Sequence, residues 1–77
     1  MRAVDDLRFL WLMEDGQWVG PVGLSERWTL AYGADHELPL HDVKWRLDKL
    51  AKEGLVVAGD SGVKWRISDK GKELMGF

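Results

Sequence analysis

Apolar residues recur at helical spacing along most of this chain and alternate with polar ones in a short stretch near its end. In residues 3–13, Val4, Leu7, Leu10 and Trp11 share one stripe, which predicts a helix. Phe9, Leu12 and Met13 fall on the other side. A helix apolar nearly all round is buried on more than one face, and in so small a domain the second face is expected to meet another chain. Asp5 and Asp6 stand in the first turn, where carboxylates favour the positive end of the helix dipole. Gly16 suits the C-cap.

Gln17-Trp18-Val19 has the character of a short strand, and Gly20-Pro21 breaks it, with Pro21 suited to an edge or a turn. A second helix is expected over residues 24–32, with Leu24, Trp28 and Ala31 on one side, Leu30 and Tyr32 beside them, Ser25 as N-cap and Gly33 as stop. Residues 28–32 also have strand character that competes with this assignment. Residues 34–38 form a polar turn, and Pro39 fits the first turn of a third helix. There Leu40, Val43, Leu47 and Leu50 make an apolar stripe with Ala51 at its edge, and Gly54 is the C-cap. Residues 55–58 and 63–67 flank a Gly/Asp/Ser turn and predict a hairpin. In its second strand Val63, Trp65 and Ile67 share one face, and Lys64 and Arg66 the other. Ser68 caps a last short helix from Asp69 to about Leu74.

Val43-Lys44-Trp45-Arg46-Leu47 and Val63-Lys64-Trp65-Arg66-Ile67 are nearly the same pentapeptide. One lies in a helix and the other in a strand, so Trp65 is expected in the core and Trp45 outside it.

Composition narrows the class. The 77 residues suit a single domain over 1–77. No cysteine is present, which excludes a disulfide framework, a Cys-ligated zinc finger, an iron–sulfur cluster and thiol catalysis. The proportions, 45% hydrophobic and 31% charged, are those of a globular chain. The longest apolar run, residues 9–13, is far short of the roughly 20 residues a membrane span needs, so no membrane association and a cytoplasmic location are expected. Five tryptophans bring apolar area to a chain too short to bury much. The net charge of −2 hides an asymmetry: residues 1–42 carry −5 and residues 43–77 carry +3.

The order helix, short strand, helix, turn, helix, hairpin, helix resembles a winged helix-turn-helix domain. Residues 47–56, LDKLAKEGLV, resemble the end of the recognition helix and the first wing strand of MarR-, PadR- and ArsR-like regulators. There two leucines three apart lead into a glycine-leucine-valine exit. Residues 65–74, WRISDKGKEL, are similar to the second wing strand entering the last helix, where a Ser or Thr cap, an acid, a base and a glycine recur. The likeness spans residues 40–74. It implies an α+β fold, mainly α: a three-helix core, a two-stranded wing hairpin and a short C-terminal helix. It also implies a small transcriptional regulator that binds double-stranded DNA sequence-specifically as a homodimer, repressing by occupancy. The loop before the third helix departs from that pattern in being acidic, with Asp35 and Glu37.

With the third helix's stripe inward, His41, Asp42, Trp45, Asp48, Lys49 and Lys52 project outward, flanked by Lys44 and Arg46. In a winged helix this face enters the major groove. His41 and Trp45 would then lie near base edges, and Lys49 and Lys52 near sugar-phosphate. Lys64 and Arg66 would hold phosphates from the wing, and Arg27 from the second helix. His41 and Asp42 suit an ordinary helix start equally well, and the lysines suit solvated surface. Asp42 and Asp48 are expected to lower non-specific affinity. An outward Trp45 has no folding role, and it suits DNA, a protein partner or the chain's own N-terminal segment. A winged helix anchored to a protein by Trp45 is therefore the alternative function. Trp11, Trp18, Trp28 and Trp65 are expected in the core or a dimer contact. The expected dimer interface is Phe9, Leu12 and Met13 with Leu74, Met75 and Phe77. No nucleophile–base pair or phosphate-cradling loop points to an enzyme. His36 and His41, five apart across a turn, do not suggest a preformed metal site, and no cofactor is expected.

Overall fold

Val43, Leu47 and Leu50 are fully buried, so the apolar stripe of the third helix, α3 (Leu40–Lys52), faces the core as its spacing predicts. The computed structural model describes residues 4–33, 35, 38–59 and 62–77. Around α3 lie α1 (Val4–Trp11), α2 (Pro21–Tyr32), the strands β1 (Val56–Ala58) and β2 (Trp65–Ile67), and α4 (Asp69–Met75). The fold is small, compact and α+β, mainly helical, with four helices and a two-stranded antiparallel hairpin among the described residues. His36, Glu37 and the turn residues Asp60 and Ser61 lie outside them.

Gly54 ends α3 in a left-handed conformation, φ +77°. Its N–H donates to the Ala51 carbonyl at 3.0 Å, and the Leu55 N–H donates to the Leu50 carbonyl at 2.9 Å. This is a Schellman motif, and the buried Leu50 and Leu55 supply its apolar closure. The chain then enters the hairpin, where Val56 faces Ile67, Val57 faces Arg66 and Ala58 faces Trp65. Ile67 is buried and Trp65 is half-buried against the core, as alternation requires. Val63, expected on the same face, lies before β2 and is exposed, because the Gly59 N–H to Lys64 carbonyl bond closes the ladder short of it.

Val19 forms an isolated antiparallel bridge to Trp65, exchanging N–H···O bonds of 2.9 and 2.8 Å. Ser68 caps α4 as expected, its Oγ accepting from the Gly71 N–H at 3.0 Å. The same hydroxyl donates to the Gly54 carbonyl at 2.6 Å, which locks α4 to the end of α3. Gly71 is buried there. A Cβ would collide with the Leu55 carbonyl and lie 2.7 Å from Ile67 Cγ1, so no larger residue fits.

Two helices differ from expectation. Phe9 and Met13 are fully buried in the chain's own core, and Leu12 nearly so, so they do not face a second chain. The reason is local. The Leu12 and Met13 N–H groups bond to carbonyls three residues back, at 3.1 and 3.0 Å, which tightens the last turn and swings both side chains inward. Val4 and Trp11, placed on the inner stripe by spacing alone, are exposed. The second helix begins at Pro21, not Leu24. Proline suits the first helical position because its missing N–H has no partner to lose there. Ser25 is therefore inside the helix, and its Oγ donates to the Leu38 carbonyl at 2.9 Å, tying Leu38 to α2 just ahead of α3. Leu24 and Trp28 are buried, whereas Ala31 and Leu40 are exposed. No helix among the described residues is long and apolar enough to cross a membrane.

Candidate nucleic-acid interface

The outer face of α3 is built as its register requires. Trp45 is 60% exposed, and Lys44, Asp48 and Lys52 are exposed around it. A groove of about 390 Å³ runs along this face between Trp45, Asp48, Lys49, Lys52 and Glu53. At the start of the helix His41 Nε2 lies 3.2 Å from the Asp42 carboxylate, in solvent, so this pair contributes little stability.

Two cations of α3 are not available as expected. Asp6 on α1 is 1% exposed, and its carboxylate accepts from Arg46 Nη1 at 2.6 Å and from Lys49 Nζ at 2.8 Å. Burial pushes the Asp6 carboxyl up, but the hydrogen bonds and charges of Lys49 and Arg46 outweigh it and hold it below the usual 3.8. Asp6 thus does more than complement a helix dipole. It ties α1 to α3, and Lys49 is held there instead of facing a sugar-phosphate backbone. Withdrawing either cation would leave the buried carboxylate under-neutralised. Arg46 Nε is buried with no hydrogen-bond partner among the described residues, a local cost of the same arrangement.

Arg27 is also held by the fold. Its Nη1 donates to the Leu12 carbonyl at 2.8 Å, and its Nη2 lies 3.2 Å from the Asp15 carboxylate. It fastens the α1–α2 connection, and its guanidinium is not presented as a phosphate contact. Lys44, Lys52 and Lys64 have no carboxylate within ion-pair distance among the described residues.

The hairpin adds a residue that sequence reasoning placed in the core or a dimer. Val19 points inward at its bridge to Trp65, so Trp18 points outward by strand alternation. Its half-exposed ring lies beneath the Arg66 guanidinium, with Cζ 4.9 Å from the ring centre. The ring also spans to Gly59, where a Cβ would sit 3.5 Å from it. This cation–π contact holds the guanidinium on the outer side of the hairpin, a position from which it can reach a phosphate. The available signal was positional: a tryptophan immediately before an inward valine. Trp11, also expected in the core or a dimer, is exposed, and its ring meets Phe77 edge-on at 5.7 Å. Leu74 and Phe77 are exposed, whereas Met75 packs partly against the core.

Comparison with protein-family models, with curated proteins and with solved structures finds no match to this chain.

Proposed function

We propose that this chain is a winged helix-turn-helix module that binds double-stranded DNA, a small cytoplasmic regulator that represses by occupying its site. The observation that carries this reading is the placement of its available cations. Lys44 and Lys52 stand on α3, and Lys64 and Arg66 on or beside β2. These are the elements a winged helix presents to DNA. The isolated bridge from Val19 to Trp65 ties the segment between α1 and α2 to the outer side of the hairpin, which suits the same architecture.

In this mechanism α3 enters the major groove, with Trp45 and His41 against base edges and Lys44 and Lys52 toward the backbone. Arg66, held over the Trp18 ring, grips a phosphate beside Lys64. Arg27, Arg46 and Lys49 support the scaffold and make no phosphate contact. Asp42 and Asp48 suppress binding to random sequence, so affinity depends on the correct bases more than in a strongly basic domain.

Amide resonances followed as duplex is added test the docking face. The expected shifts cluster on α3 and the hairpin, around Trp45, Lys64 and Arg66. Shifts confined to α1 and α2, or no shifts, would overturn the assignment. A protein-recognition reading has one observation in its favour: the groove at Trp45 carries both acidic and basic walls. Silence toward duplex at low salt would leave that reading in place.

A further inference from the structure

Resting on the duplex-binding reading of α3, we infer that Trp45 and Asp48 form one base-reading pair that selects a cytosine in the major groove, and that a methyl group on its C5 carbon tightens binding. The two residues stand three apart on the outer face of α3, a spacing that puts Cβ atoms about 5–6 Å from each other. Both are exposed, and both line the same groove.

The Trp45 ring is positioned by the fold. Arg46 Cζ lies 5.9 Å from its centre and Lys49 Nζ 5.8 Å. The buried Asp6 carboxylate holds both cations in turn, so the ring rests against groups anchored to α1. Asp48 differs from the other carboxylate at the start of the helix. Asp42 lies 3.2 Å from His41, whereas Asp48 has no ion pair among the described residues. Its ionised carboxylate can only accept hydrogen bonds. Lys52, exposed in the same groove, limits the repulsion between Asp48 and nearby phosphates.

An acceptor beside a large apolar ring matches one base edge. Cytosine presents its N4 amino donor to the major groove, while guanine and thymine present acceptors that a carboxylate repels. Adenine sets the acceptor N7 beside its N6 donor, which also counts against it. In cytosine the C5 carbon adjoins the carbon that bears N4, and it faces the same groove. A ring next to Asp48 therefore covers C5 when the carboxylate meets N4. Burying one added carbon there is expected to raise affinity about fourfold. Thymine offers the same methyl, but its O4 opposes the carboxylate, so the pair separates methylated cytosine from thymine.

Enrichment of bound duplexes from a randomised library, followed by titration of matched duplexes, tests the pair. The enriched site is expected to hold a cytosine at one fixed position, and its replacement by thymine should weaken binding roughly 5- to 150-fold. C5-methylation of that cytosine should strengthen binding about fourfold. Both side chains are exposed, so variants at these positions keep the fold. Asp48→Asn should move the preferred base from cytosine to adenine, which an amide reads through N6 and N7. Trp45→Ala should keep the cytosine preference and lose the gain from methylation. Duplex binding that ignores sequence, an enriched site without cytosine, a methyl group that brings no gain, or an unchanged base preference in Asp48→Asn would each overturn this inference and leave duplex binding standing. Binding to no duplex at all would remove both.

Discussion

The two nearly identical pentapeptides, residues 43–47 and 63–67, take opposite parts in the molecule. In the helix copy Val43 is fully buried and Trp45 is exposed; in the hairpin copy Val63 is 59% exposed and Trp65 is half-buried against the core. The arginines differ most. Arg46 reaches inward to the buried carboxylate of Asp6, whereas Arg66 lies on the outer face of Trp18. Two positions agree: Lys44 and Lys64 are both exposed, and Leu47 and Ile67 are both buried. A period of 3.6 places residues 43 and 47 together and turns 45 away, while a period of 2 keeps 65 and 67 together. The same side chains therefore serve as core in one copy and as surface in the other, and chemistry follows the backbone period rather than the local sequence.

The comparison can be broken by substituting matched positions. The largest effects are expected where both copies are buried: Leu47→Ala and Ile67→Ala should each cost about 2–5 kcal/mol in chemical denaturation. Next comes the contrast between arginines. Arg46→Ala should cost about 2–4 kcal/mol, because Asp6 is left buried with Lys49 alone, which is itself one-third exposed. Arg66→Ala should change stability by less than about 0.5 kcal/mol. It should instead weaken binding to all duplexes alike and reduce the slope of log affinity against log salt by about 0.9. Equal stability losses for the two arginines would erase the distinction.

The pH dependence tests the inward copy from the other partner. The Asp6 carboxyl is held below its ordinary 3.8 in the folded state, so its stabilising contribution is present above that pH and is lost as the pH falls through the folded value. The wild type is expected to lose stability to acid below about pH 3.8, while Asp6→Asn, already weaker at neutral pH, lacks that component; urea midpoints measured across the range check this. The smallest effect is expected at Val63→Ala, within about 0.5 kcal/mol of wild type. A loss near that of Val43→Ala would mean that the strand extends further than β2.

Elements with one clean period were legible in the sequence. The stripe of α3, the Gly54 exit, the hairpin and the Ser68 cap each rest on a local pattern that tertiary structure had no reason to override. Helix α1 was not legible in the same way, because an all-round apolar helix gives no direction and the tight turn at Leu12 and Met13 decides it. The site divides along the same line. The outward placement of Trp45, Lys44 and Lys52 follows from register alone. The inward commitment of Arg46 and Lys49 depends on Asp6, 40 and 43 residues away in the chain, and no local pattern announces such a pair. The role of Arg27 is hidden for the same reason, since its partners, the Leu12 carbonyl and Asp15, lie on the connection before its own helix.

Titration of a mixed-sequence duplex at low and then moderate salt tests the central claim most directly. Four cations on α3 and the hairpin predict detectable binding at low salt, with log affinity falling against log salt at a slope of roughly −3 to −4. No binding at low salt, or binding indifferent to salt, would contradict the account.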